Sequence, residues 1–126
     1  MGLFAISGRG HRYYDRGDPL IYDFTGINFI KDGTWHDLDL SNIVPGGAVA
    51  VVLTVVMNAN APGKYIQFRK NGNTNTLNTH INYTLVENVI HYSMGIVACD
   101  TNRIIEYKVI STDVITINVC VCGWFL

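Results

Sequence analysis

The chain has 126 residues, enough for one domain built on one hydrophobic core. Its net charge is −1 and it carries no basic block, which excludes nucleic-acid binding by phosphate neutralisation. Its longest apolar run, Ala48 to Met57, is too short to cross a bilayer as a helix, so no membrane insertion is expected.

Charged residues make up only 15% of the chain, well below a typical soluble domain. Many Val, Ile, Asn, Thr and Gly residues beside so few charges point to surface that other chains cover, hence to a homo-oligomer. Met1 to Ala5 lack the charged start and long apolar core of a signal peptide. The chain has three cysteines, and Cys120 and Cys122, two apart on one strand, are poorly placed for a mutual disulfide. Free thiols and a reducing compartment follow.

Residues 1–20 are rich in Gly, Arg and Tyr without period and read as an N-terminal arm that packs on, or exchanges with, a neighbour. Residues 21–126 read as short strands separated by turns. Leu20 to Phe24 is a candidate strand, and Lys31-Asp32-Gly33 a turn. In Thr34 to Leu40, His36, Leu38 and Leu40 alternate with Trp35, Asp37 and Asp39. Val44-Pro45-Gly46-Gly47 turns into Ala48 to Met57, which is apolar on both faces and so is expected to be covered twice. Lys64 to Lys70 places Ile66 and Phe68 inward. Asn71-Gly72-Asn73 is a tight turn. Thr74 to Asn82 is polar and reads as an excursion across the sandwich edge. Thr84 to Val86 and Val89 to Cys99 are strands about Glu87-Asn88. Arg103 to Ser111 points Ile105, Tyr107 and Val109 inward. In Val114 to Val121, Ile115, Ile117, Val119 and Val121 share one face. Seven to nine strands at roughly 8–12-residue spacing predict an all-β antiparallel β-sandwich. Trp124, Phe125 and Leu126 end the chain on large apolar groups that must be buried, in the same core or against a partner.

Several residue sets carry candidate chemistry. Arg16-Gly17-Asp18 matches the integrin-type adhesion tripeptide, against a plain turn with a local Arg–Asp pair. Asp37 and Asp39 share a strand face, roughly 6–7 Å apart by strand rise. That spacing suits paired glycosidase carboxylates or part of a calcium site, while a solvated face explains it fully. His11, His36, His80 and His91 are scattered without metal-ligand spacing, so no metal or other cofactor is expected. Tyr13, Tyr14, Trp35, Tyr65 and Tyr83 lie in loops or at outward strand positions. Exposed aromatics beside Asn, Asp and Thr suit either a glycan surface or a subunit interface.

Three segments carry a resemblance. They are Asp32-Gly33-Thr34-Trp35-His36-Asp37-Leu38-Asp39-Leu40-Ser41 with Val44-Pro45-Gly46-Gly47-Ala48; Phe68-Arg69-Lys70-Asn71-Gly72-Asn73; and Ile105-Glu106-Tyr107-Lys108 with Gly123-Trp124. In this order, over about residues 32 to 124, the chain resembles the small jelly-roll-like β-sandwich modules of tailed-phage virions. Those serve as head decoration (cement) proteins and as terminal domains of tail fibres. The resemblance implies a jelly-roll-like fold, a homotrimer, a non-enzymatic structural role, the major capsid protein lattice as partner, and location in a virion assembled in the host cytoplasm. It supplies no active-site residues.

A start at Met1 without coiled coil or shaft repeat favours the decoration role over a fibre tip. The tip role, with a host surface glycan as ligand, is the alternative. Expected interface residues are Val49, Val51, Leu53 and Val55 on one face of the apolar strand, with Trp124, Phe125 and Leu126 at the chain end. Expected glycan or partner contacts are Tyr13, Tyr14, Trp35, Tyr65 and Tyr83.

Overall fold

A computed structural model describes residues 10–126. They form an all-β, antiparallel sandwich. The strands are β1 (Tyr13–Asp15), β2 (Phe24–Thr25), β3 (His36–Asp39), β4 (Ala50–Ala59), β5 (Tyr65–Lys70), β6 (His80–Tyr83), β7 (His91–Ala98), β8 (Ile104–Val109) and β9 (Val114–Phe125). A 3₁₀ turn, Gly26–Asn28, follows β2. Sheet A runs β1-β9-β4-β7, with β2 also on β9; sheet B runs β3-β8-β5-β6. The pairings nest: β5 with β6, β4 with β7, β3 with β8, and β2 with β9.

Alternation decides which side chains meet between the sheets. Val51, Leu53, Val55 and Met57 of β4 face Ile66 and Phe68 of β5 and Ile105 and Val109 of β8, all fully buried in one cluster. Leu38 and Leu40 join from β3 and the chain beyond it, as their alternation predicts. Tyr107 is buried there too, with Phe29 edge-on at 4.8 Å and its hydroxyl accepting the Ile30 N–H at 2.9 Å.

The final strand departs from its sequence pattern. The β4–β9 register shifts between Asn58 and Ala59, so Val114 turns inward and Ile115 outward, 47% exposed. Ile117, Val119 and Val121 then point inward as expected. One extra residue reverses the alternation on either side of a bulge.

The expected arm is only partly separate from the sandwich. Residues 1–9 lie outside the described residues, but Tyr13–Asp15 pairs with Phe125, Trp124 and Gly123 at the end of β9. The Tyr13 ring rests on the Gly123 backbone, in the space that a Cβ there would enter. Between β1 and β2 the edge of β9 is filled by side chains. The Arg16 guanidinium donates to Asp23 and to the Val121 carbonyl, and the Asp23 carboxylate accepts the Val121 N–H at 2.8 Å. Leu20 and Ile21, expected in a strand, are instead 95% and 80% exposed, and only Phe24–Thr25 pairs.

Candidate functional site

Two outer faces carry the residues of interest. On sheet B, the β3-β8-β5-β6 order brings together side chains far apart in the chain. Trp35, just before β3, stacks on the Arg69 guanidinium of β5 at 3.9 Å from the ring centroid. Arg69 is almost buried and is fixed from behind: its Nε donates to Glu106 Oε1 at 2.7 Å and its Nη1 to the Asn75 carbonyl at 3.3 Å. Tyr65 and Tyr83, opposite each other in the β5–β6 register, stack at 5.5 Å with planes 14° apart. The Lys108 ammonium lies between the two groups, 5.5 Å from the Trp35 ring and 5.7 Å from that of Tyr65. Three of the five expected aromatics therefore share one face. Tyr13 and Tyr14 do not join them; they belong to β1, at the edge of the other sheet, where Tyr13 packs on Phe125 at 5.4 Å.

On sheet A the expected interface residues divide. Val51, Leu53 and Val55 have no exposed surface, because their side of β4 faces sheet B. They are core residues and leave nothing for a partner to touch. The face of β4 turned outward is Val52, Thr54 and Val56. Val49, 39% exposed, stands at the rim. Trp124 and Leu126 pack against the core, and the Leu126 backbone exchanges hydrogen bonds with Arg12. The apolar chain end is thus largely covered by its own chain and keeps only partial exposure.

The sequence reading missed the outward row of β7. Tyr92, Met94 and Ile96 are 71%, 66% and 62% exposed, beside Val56, Thr54 and Val52 in the register. A period-two reading of Val89 to Cys99 that assigned Val97 inward would have placed these three outward.

The remaining candidates have local structural partners. Asp32 accepts from the Thr34 N–H and hydroxyl and lies 2.9 Å from His36 Nε2, and these hydrogen bonds, led by that of His36, hold its carboxyl at about 2. The same His36 nitrogen is also the one near the Thr34 hydroxyl at 3.1 Å, so the trio has no relay through opposite sides of an imidazole. Asp39 accepts the Ser41 N–H at 2.9 Å, which lowers its pKa, while Asp37 faces Glu106 across the β3–β8 pair. The Arg16-Gly17-Asp18 tripeptide has its arginine committed to Asp23.

All three cysteines are free. Burial pushes the Cys99 and Cys120 thiols up, and Cys122 Sγ lies 3.0 Å from the Thr54 hydroxyl. Among the described residues, no three His, Cys, Asp or Glu side chains gather to hold a metal ion. No described helix is long and apolar enough to cross a membrane. No family model matches the chain, and a search of curated proteins returned no match.

Proposed function

We propose that this chain is a non-enzymatic structural protein of a phage virion, a decoration protein that works as a homo-oligomer seated on the major capsid protein lattice. The observation that carries the reading is where the exposed apolar surface lies. Among the described residues, seven of the 19 exposed large apolar side chains fall between Leu85 and Ile96. Such concentration is the mark of a surface that another chain covers. The nested pairing of β2 through β9 supports the resemblance, since a ribbon of paired strands wound into two sheets is how a jelly roll is built. Immunogold labelling of particles from the host that encodes the chain tests the role. Gold on heads is expected; particles without label overturn it.

A second reading, a glycan-binding module of a tail fibre, is favoured by the Trp35, Tyr65 and Tyr83 group with Lys108. Flat apolar rings beside hydrogen-bonding groups suit the faces and hydroxyls of a sugar. Saturable binding on a glycan array, lost in Trp35→Ala, would support it, and gold on tail tips would favour it over the head role.

A further inference from the structure

The four sheet edges of this sandwich are not equivalent. β1 is three residues long, and the side chains of Arg16 and Asp23 continue its work along β9. β3 carries Asp37 and Asp39, and β6 has only four residues. Short strands and charges are the means by which native sheets prevent edge-to-edge pairing. β7 has none of them. It is eight residues long, His-Tyr-Ser-Met-Gly-Ile-Val-Ala, with no Asp, Glu, Lys, Arg or Pro and no register shift against β4.

The direction of its backbone groups follows from the register. The Cys99 N–H donates to the Val49 carbonyl, next to the Ala50–Ala98 pair. Residues 91, 93, 95 and 97 therefore bond β4, and Tyr92, Met94 and Ile96 turn their N–H and C=O groups to the free edge. Among the described residues, none of these three makes a backbone hydrogen bond outside β4. The same three carry the exposed side chains, so open backbone and open apolar surface coincide.

We propose that β7 pairs with β7 of a second copy, antiparallel about a two-fold axis at Met94. This inference rests on the self-association reading above and names its surface. In that register Met94 meets Met94 of the second copy, and Tyr92 meets its Ile96, an aromatic against a β-branched residue. Each of the three residues exchanges a pair of backbone hydrogen bonds with its mate, and sheet A becomes continuous through both chains. An antiparallel pair of identical strands is self-complementary, which a contact with an unrelated partner is not. Leu85, Val86, Val89 and Ile90, just before β7 in the chain, are exposed as well, so the apolar surface offered to a second copy is not confined to the row of three. Two-fold pairing closes at two chains, where the resemblance implied three.

The test is the solution mass of the full chain by light scattering, with two variants. Met94→Pro removes an N–H that only the second copy uses, a position where an edge strand tolerates proline. Met94→Lys keeps the N–H but sets two ammonium groups opposite each other at the axis, and is expected to raise the dissociation constant at least about 100-fold. A dimer that both variants, or Met94→Lys alone should the proline variant not fold, turn into a folded monomer is the expected result. A trimer indifferent to Met94→Lys would overturn the β7 pairing and leave self-association standing. A wild-type monomer at all concentrations would overturn both.

Discussion

Along its β9 side sheet A is closed by residues 12–25, whereas along its β7 side the backbone groups of Tyr92, Met94 and Ile96 stand open. On the closed side, strand pairing is interrupted between Val119 and Gly123. The gap is bridged by Arg16 and Asp23, each placed to replace a missing strand partner. On the open side nothing in the described chain performs that office for Tyr92, Met94 and Ile96. The chain thus spends a charged pair on sealing one edge and places uncharged, apolar residues on the other. An edge left to solvent is kept safe by charge, brevity or proline. An edge built without them is open to pairing with another strand.

The strand between the two edges sets the scale for breaking this picture. Leu53, fully buried on β4, supports both sides, and Leu53→Ala should cost about 3 kcal/mol of stability in chemical denaturation, as large-to-small core changes do. A loss below about 1 kcal/mol would mean that the β4 face is not the core. Next comes the sealed edge. Asp23→Ala leaves the Val121 N–H without its acceptor and the Arg16 guanidinium without its carboxylate partner, and should cost about 2 kcal/mol. It should also expose residues 12–25 to limited proteolysis.

Near the open edge, His80 of β6 spans the gap between the sheets. Its ring lies against the Gly95 backbone and its Nε2 is 3.2 Å from the Ser93 hydroxyl. Burial lowers its pKa from 6.5, so the unfolded chain takes up this proton first. Stability from the neutral imidazole is complete above pH 6.5 and declines as pH falls through that value toward the lower folded pKa. Melting temperatures measured downward from pH 8 should show this decline in the wild type and a flatter profile in His80→Gln. The smallest effect is expected at the open edge itself: under conditions where the chain is monomeric, Met94→Lys should change stability by no more than about 0.5 kcal/mol.

Much of the sandwich was legible because its strands keep one face dry. His36-Asp37-Leu38-Asp39-Leu40 and Ile66 with Phe68 announce both strand and orientation. β6 was hidden, since Asn82, a polar residue, is buried there, with its amide donating to the Val55 carbonyl at 3.3 Å. β1 was hidden because its pairing with β9 joins opposite ends of the chain. β4 is apolar on both faces, so alternation offered no means of choosing the inward one, and Val51, Leu53 and Val55 were assigned to the wrong side. The aromatic group was invisible for another reason. Trp35, Tyr65 and Tyr83 meet only through the order of strands in sheet B, which no local pattern carries.

Amide hydrogen exchange, read residue by residue in the wild type and in Met94→Lys, tests the contrast between the two edges most directly. The Val121 amide, held by Asp23, should exchange slowly in both proteins. The Tyr92 and Ile96 amides should be slow in the wild type, where a second chain covers them, and fast in Met94→Lys. Equal exchange at Tyr92 and Ile96 in the two proteins would contradict the account.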